Sequence, residues 1–594
     1  MIMKTMLLKA LGHPLTSSKM DALIKALAVF KKVVIYDPLG QAAEFEALYD
    51  ISQLKAVNVP PQDIAGLKNT DADAVFITAF DSPPLAAQIQ HLLPSGVKVF
   101  SFDDARLPDE FLTNPGNYLD SLNFATNFVF FREEEGHHTR LVTADHWAGH
   151  SPKNTGLWCC LFGKDGKVLG QWNEKLGGMA QTIIIDSLEV AQRFNVLTFT
   201  GSLFIHFTGI SGNDTVRYVL DTYGNDDSVL SCTHDADSRP AGLYAGLPAP
   251  REGERVLLWV QNSHPCPIPA DAVGLNLMGS DRVKTFEKPI PGFATRAIDV
   301  ADLVPNARWP QQLEVHAGHH FVSPRYEVID TKGRRLIAQT NIEGIGLKAD
   351  SVTGKAYILP APLLPLGRFR NIVLPTPMST GQQELALSLL VYNGNGQQKG
   401  QYSLGKLERG NIKDININAL LGKYPEEDFP GGFGHMELVY DLSQCSEVDG
   451  WLYALMRYED TRSGHNSETS FRAQFYGEVP SALGTRLFLR LSREPGTDTL
   501  CHLIYPVFTP GHAQSETDLI LMDSKGTEVL KKTVNIACSG SLLWRYHEAF
   551  SKEERQRAGQ DPYIIIRDTT CRLFGYHGLM KGERSFCLDH MFGF

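Results

Sequence analysis

Histidines are the residues in this sequence that offer the clearest chemistry. His316, His319 and His320 are three of its 19 histidines, and neutral imidazole is a common ligand of zinc and other transition metals. On a strand, residues four apart stand more than about 12 Å apart, so these rings can share an ion only if Gly318 introduces a bend. We predict a metal site at His316, His319 and His320. The alternative is that the rings hydrogen-bond to loops or lie exposed.

A second set of polar residues recurs at the ends of predicted strands, and His264 lies in the same part of the chain as the histidine trio. We predict ligand binding, to a polar molecule such as a sugar, by the following residues: His234, His264, Asn341, His465, Glu468 and His590. The alternative is that these side chains satisfy the amides and carbonyls of nearby loops. No set of nucleophile, base and orienting residue can be assembled from sequence proximity, and no cofactor is expected.

The elements that must position these residues follow a repeated two-part pattern. Each copy has a hairpin centred on glycine, followed by an aliphatic residue and an acid or amide near the end of a later strand. The spacing is 20 residues in three copies, which are Gly166 to Asp186, Gly279 to Asp299, and Gly396 to Asn416. A fourth hairpin, centred on Gly526, precedes a less similar strand. Successive hairpin glycines lie 113, 117 and 130 residues apart, which is the size of one sandwich domain.

Short alternating strands separated by Gly, Pro, Asn and Asp fill the chain from about His137 onward. This pattern is typical of β structure. We predict about four tandem immunoglobulin-like β-sandwich repeats, each with its own core between two sheets. The predicted boundaries are 116–245, 246–360, 361–480 and 481–594.

The N-terminal segment, residues 1–115, has a different pattern. Short apolar runs at Val33–Tyr36, Ala74–Ile77 and Val97–Phe100 alternate with helical patterns, which predicts a parallel sheet covered by helices. The segment resembles a small α/β domain of the flavodoxin-like type. Acidic residues follow its strands, at Asp37, Asp81 and Asp103, and they favour turn and cap chemistry over a cation site.

Composition narrows the class of protein. The chain has 594 residues, a net charge of −11 and no basic run interleaved with aromatic residues, so we expect no nucleic acid partner. The apolar stretch Met6–Leu11 is too short for a secretory signal, and no segment is long enough to span a membrane. Nine cysteines are too few and too irregular for a disulfide framework. We expect a cytoplasmic location.

Two functions fit these features. The first is a non-catalytic binding, scaffold or self-assembling structural protein, because serial repeats explain most of the chain. Its expected partners are a second copy of the chain, in a homo-oligomer, or another protein, with a polysaccharide as a further candidate. The second is an enzyme acting on carbohydrate or lipid, with a histidine-containing and metal-dependent site at a sandwich end.

Overall fold

The computed structural model describes most of the chain. The described residues are 2–54, 56–59, 64–144, 155–176, 180–210, 216–235, 240–342, 356–376, 384–408, 410, 413–423, 426–442, 452–476, 484–506 and 512–593. The protein is mainly β, as predicted. Among the described helices, none combines the length and apolarity needed to cross a membrane. The eight described cysteines are free thiols.

The N-terminal segment contains a parallel sheet with helices on both faces. Its helices and strands are α1 Ile2–Gly12, α2 Pro14–Leu27, β1 Val33–Tyr36, α3 Ala42–Leu48, β2 Ala56–Val59, β3 Ala74–Ile77, α4 Pro83–Gln90 and β4 Lys98–Ser101. The strand order is β2-β1-β3-β4 and all pairings are parallel. Short 3₁₀ helices cover Ile64–Asn69, Phe102–Ala105, Asp109–Phe111 and Ser121–Phe124. The strands β1 and β3 are fully buried because both faces of the sheet are covered.

Alternating side chains of the central strands explain the two covered faces. Phe76 of β3 packs in the core that also holds residues of α1, α2 and α3. Val75 and Ile77 of the same strand point the other way, into a core that holds Ile89 of α4. The segment is therefore built in three layers.

Four β units follow, which we number 1 to 4 in chain order and define by their strands. Unit 1 contains β5 Ala125–Glu134, β6 His137–Ala144, β7 Gly156–Phe162, β8 Val168–Lys175, β9 Thr182–Asp186, α5 Ser187–Phe194, β10 Phe199–Thr208, β11 Val219–Gly224 and β12 Leu230–His234. Unit 2 contains β13 Leu243–Pro248, β14 Arg255–Gln261, β15 Gly274–Leu277, β16 Lys284–Thr285, β17 Thr295–Asp299, α6 Val300–Leu303, β18 Gln312–His316, β19 Arg325–Ile329, β20 Arg335–Gln339 and β21 Asn341–Ile342.

The other two units have the same element order. Unit 3 contains β22 Ala356–Leu363, β23 Phe369–Pro375, β24 Glu384–Asn393, β25 Gln398–Glu408, β26 Ile415–Asn416, α7 Ile417–Leu421, 3₁₀ turns at Glu426–Asp428 and Pro430–Gly432, β27 Gly434–Asp441, β28 Tyr453–Asp460, β29 Asn466–Arg472 and β30 Gln474–Tyr476. Unit 4 contains β31 Thr485–Arg490, β32 Asp498–Ile504, β33 Thr517–Met522, β34 Glu528–Val534, β35 Ser541–Arg545, α8 Tyr546–Ala549, α9 Lys552–Ala558, β36 Tyr563–Asp568, β37 Phe574–Lys581 and β38 Ser585–His590.

Two antiparallel strand orders, one for each sheet of a unit, recur in all four units. In unit 4 the two sheets are β34-β33-β36-β31 and β35-β32-β37-β38, and units 2 and 3 repeat both orders with one extra short strand each. Unit 1 has the same two orders, but the β5–β6 hairpin joins them into one eight-stranded sheet. Alternation along each strand sends one set of side chains inward, as for Leu258, Leu275 and Tyr326 in the core of unit 2.

The predicted two-part pattern has a local structural role in each unit. The acid or amide at the end of the fifth strand caps the short helix that follows: Asp186 accepts from Leu188 N, Asp299 from Ala301 N, and Asn416 from Ala419 N. Such caps satisfy amides at a helix start. In unit 4 the equivalent position is Arg545, which forms no side-chain cap. The fourth copy therefore lacks the acid or amide of the sequence pattern.

The hairpin of each unit contacts the next unit. The backbone amide that opens the fifth strand of unit 2, Thr295 N, donates to Lys164 O in the hairpin of unit 1, at 3.2 Å. Ser541 N of unit 4 likewise donates to Gly394 O of unit 3, at 3.0 Å. Each acceptor lies two residues before the hairpin glycine, so units 1 and 2 and units 3 and 4 are joined by equivalent hydrogen bonds.

The same contact closes the four units into a ring. Thr182 N, at the start of the fifth strand of unit 1, donates to Ser524 O in the hairpin of unit 4, at 3.0 Å. Between units 2 and 3, the Cβ position at Gly410 lies 3.6 Å from the Cα of the hairpin glycine Gly279. The chain therefore makes a head-to-tail ring of four units, in which the hairpin of one unit meets a different surface of the next, as in a heterologous cyclic oligomer.

Gly166 is required where the first hairpin meets unit 2. Its φ is +80°, and a Cβ atom there would lie 1.9 Å from Gly292 O. We expect Gly166→Ala to lower the free energy of unfolding by about 2–4 kcal/mol, because it adds left-handed backbone strain and a clash with backbone. Chemical denaturation measures the change.

A matched control separates these two causes. Gly333 has φ +76° with nothing within 4 Å of its Cβ position, so Gly333→Ala introduces the strain without the clash. If the two variants lose equal stability, the clash with unit 2 adds no cost beyond the backbone strain, and close docking of the hairpin on unit 2 is contradicted.

Candidate functional site

The eighth strands of the four units, β12, β20, β29 and β38, meet at the centre of the ring. Ile337 N of β20 donates to Ser231 Oγ of β12, and Leu588 N of β38 donates to Ser467 Oγ of β29, both at 2.9 Å. β20 also packs against β29, and β38 against β12. We call the polar group at this meeting point, formed by His234, Gln339, Thr469, Asp589 and His590, the central junction.

Two histidines and an aspartate form the core of the central junction. His234 Nδ1 lies 2.9 Å from Asp589 Oδ2, and His590 Nδ1 lies 3.4 Å from Asp589 Oδ1. The two rings have centroids 4.1 Å apart. The side chains of His234, Asp589 and His590 are 16, 5 and 17% exposed, so the group is nearly closed to solvent.

Residues of units 2 and 3 hold this group in place. Gln339 Nε2 lies 2.8 Å from His234 Nε2, and Thr469 Oγ1 donates to Asp589 Oδ1 at 2.5 Å. Unit 1 contributes His234, and unit 4 contributes Asp589 and His590. All four units therefore supply a side chain to one polar network.

Charge keeps Asp589 ionised in this buried place. Burial alone would raise the pKa of its carboxyl group, but His234 and His590 and their hydrogen bonds hold that pKa well below its ordinary value. For His590, burial and the neighbouring His234 lower the pKa, against the opposing effect of Asp589.

His577 is a further buried histidine beside the central junction. It is the register partner of Asp589 in the β37–β38 pair, so both side chains lie on the same side of the sheet. Its ring is fully buried, and neither ring nitrogen has a hydrogen-bond partner among the described residues. Burial, and then the charge of Arg490, hold the pKa of His577 well below its usual value.

Of the residues predicted to bind a ligand, the structure brings His234 and His590 together. Glu468 of unit 3 lies nearby and connects two units. It accepts a hydrogen bond from Tyr326 OH of unit 2 at 2.7 Å and pairs with Arg457 of its own unit at 3.1 Å. Burial raises the pKa of Glu468 although Arg457 opposes the shift. His465 Nε2 reaches Asp227 O of unit 1, at 2.6 Å.

The remaining two predicted ligand-binding residues lie elsewhere. Asn341 is buried in β21, where it faces Ala245 of β13. His264 Nε2 lies 2.9 Å from His319 O, which ties one loop of unit 2 to another. Neither residue joins the central junction, and ligand binding by them remains a prediction.

The residues of the predicted metal site at His316, His319 and His320 do not share one set of contacts, because His316 and His319 have different hydrogen-bond partners. The bend at Gly318 is present, with φ +54° there and +61° at His319, but it turns His319 Nδ1 to within 3.2 Å of Pro240 O. His316 Nε2 lies 2.7 Å from Asn276 Oδ1. Among the described residues, the group whose ligand atoms all lie within 4.8 Å is instead His234, Asp589 and His590.

The acidic residues after the N-terminal strands act as caps. Asp37 accepts from Gln41 N at 2.7 Å, and Asp103 accepts from Asp81 N and Ser82 N at 3.0 and 2.7 Å. This agrees with the turn and cap chemistry favoured by the sequence.

In comparisons with known proteins, no protein-family model matches the chain, and no curated protein matches it.

Proposed function

We propose that the protein is a non-catalytic cytoplasmic scaffold that binds other proteins or further copies of itself. In this proposal, residues 1–115 form a flavodoxin-like domain and units 1 to 4 form four immunoglobulin-like sandwiches, for which the sequence predicts 116–245, 246–360, 361–480 and 481–594. The boundaries at 245/246 and 360/361 fall inside β13 and β22, so units 2 and 3 begin a few residues earlier, with these strands. The last boundary, at 480/481, lies outside the described residues. The strand order β2-β1-β3-β4 supports the first assignment, since flavodoxin-like sheets begin in that order.

The observation that carries the proposal is the closure of the ring by buried ion pairs. Arg132 of unit 1 pairs with Glu327 of unit 2, Arg457 of unit 3 with Glu254 of unit 2, and Arg490 of unit 4 with Asp221 of unit 1. Buried pairs demand fixed geometry. They therefore support a rigid body that presents surfaces in a constant arrangement.

Edge strands offer the surfaces that such a scaffold would use. β25 and β34 each end a sheet and pair on one side only within the described residues, and their side chains are largely exposed or half-buried. Edge strands are ready sites for pairing with another chain. The hairpins are already engaged within the ring, so a homo-oligomer would form through edges of this kind.

Capture and activity measurements on the purified full chain test this proposal. We expect it to retain a defined protein partner or to self-associate in light scattering, and Gly166→Trp, which prevents docking of the first hairpin, to weaken that association. Gly333→Trp is the control on an open turn. A monomer that retains no partner and turns over a glycoside or ester substrate would contradict the scaffold function.

A second candidate function has one observation in its favour. The alternative is a carbohydrate- or lipid-active enzyme with a histidine-containing, metal-dependent site, and His234 and His590 do meet beside Asp589. Loss of turnover in His234→Ala, with the fold retained, would favour this enzyme over the scaffold.

A further inference from the structure

We propose that the central junction binds one divalent transition-metal ion of the zinc class through His234, Asp589 and His590, and that this ion joins the first unit to the last. The site would be structural, and its existence does not depend on the scaffold function. Its ligands come from β12 of unit 1 and β38 of unit 4, the first and last units along the chain.

The distances within the group suit one ion. Two ligands of a tetrahedral zinc ion at about 2.0–2.1 Å from the metal lie about 3.4 Å apart. His590 Nδ1 and Asp589 Oδ1 are 3.4 Å apart, and His234 Nδ1 and Asp589 Oδ2 are 2.9 Å apart. All three ligand atoms lie within 4.8 Å of one another, so small side-chain adjustments complete the set.

The chemistry of the donors selects the ion. Two imidazoles and one carboxylate suit zinc and its first-row neighbours, whereas magnesium and calcium prefer oxygen ligands alone. Thr469 donates to Asp589, and it can orient the carboxylate as outer-shell partners do in metal sites.

Gln339 provides the matching partner for His234. Its Oε1 is buried without a hydrogen-bond partner among the described residues, while its Nε2 lies 2.8 Å from His234 Nε2. A half-turn of the amide group would let Oε1 accept a hydrogen bond from the N–H at His234 Nε2, leaving Nδ1 free for the ion. The half-turn gives up the long bond from Gln339 Nε2 to Asp235 O, at 3.3 Å.

The buried ring of His577 is an independent indication of a ligand. A buried polar atom without a partner costs free energy, and both nitrogens of His577 are in this position beside Asp589. An ion at the junction would give His577 a partner as its fourth ligand after a change of rotamer.

Metal analysis of the full chain tests the site. We expect about one zinc per chain after dialysis against Zn²⁺, a visible absorption spectrum of tetrahedral type when Co²⁺ replaces it, and a higher melting temperature with Zn²⁺ than with EDTA. Mg²⁺ should give no such shift. Wild-type protein that takes up no zinc, or whose melting temperature is the same in Zn²⁺ and EDTA, would overturn the proposal.

Two variants distinguish the junction from surface binding. Asp589→Asn removes the carboxylate charge at nearly constant size and is expected to lower zinc affinity at least tenfold. Asp498→Asn is the matched control, since Asp498 lies 2.6 Å from His547 in a His–Asp pair outside the junction. Equal zinc uptake by Asp589→Asn, Asp498→Asn and wild type would also overturn the proposal. If Asp589→Asn does not fold, His590→Gln provides the same comparison.

Discussion

Replacing Arg490 by Met is expected to lower the free energy of unfolding by about 3–5 kcal/mol, because it leaves Asp221 as a buried charge without its cation. Arg490 of unit 4 is 0% exposed and lies 2.6 Å from Asp221 of unit 1. The pair therefore stands inside the contact that closes the ring. Urea denaturation followed by fluorescence measures the loss.

A second replacement shows whether the charge or the packing is responsible. In Arg490→Met combined with Asp221→Leu, no buried charge remains, and we expect much of the lost stability to return. Arg462→Met is the surface control, because Arg462 pairs with Glu583 where both side chains are more than half exposed, and exposed pairs contribute about 0–1 kcal/mol. A cost for Arg490→Met no larger than that of Arg462→Met would refute the structural role of this pair.

Acid is expected to destabilise the protein through its buried neutral histidines. Burial lowers the pKa of His206 to about 4, against the opposing effect of the Asn123 backbone carbonyl. For His502, burial and then the nearby His435 lower the pKa to about 3. His13 lies 3.1 Å from His206 at the contact between α2 and unit 1, and burial and His206 hold its pKa well below the ordinary value.

The sign of the pH effect follows from the direction of these shifts. An unfolded histidine binds a proton below pH of about 6.5, whereas these folded histidines stay neutral. Their stabilisation is therefore complete above pH of about 6.5 and is lost as the pH falls toward their folded pKa values. Each contributes a slope of about 1.4 kcal/mol per pH unit in that range.

Replacing one histidine by a group that does not titrate tests this slope. We expect His502→Phe to lose about 1.4 kcal/mol less stability per pH unit between pH of about 6 and 4 than wild type, measured by urea denaturation at several pH values. His91→Phe is the control, since His91 is exposed at the end of α4. If His502→Phe and wild type have the same pH slope, the folded His502 is not held neutral.

The local elements of the fold were predictable because they depend on few neighbouring residues. Buried strands such as Val33–Tyr36 and Ala74–Ile77 have the predicted bounds. The spacing from Gly166 to Asp186 reflects a turn glycine with φ +80° and a helix cap, and both are conditions that a short segment meets by itself.

The candidate site was predictable only in part. His234 and His590 were identified from their places at strand ends, but Asp589 was not, since neighbours on a strand normally point to opposite faces. The trio His316, His319 and His320 is near in sequence, yet its bend directs the rings to different partners.

The sequence by itself determined the strands, the hairpin glycines with an acid or amide 20 residues later, and the fourfold recurrence of a β unit. Only the tertiary structure decided that the hairpins dock on the next unit and that the ring closes. The physical reason is distance along the chain: His234 and Asp589 are 355 residues apart, and Asp221 and Arg490 are 269 apart. Contacts of this kind depend on how whole units pack, which no local pattern of residues specifies.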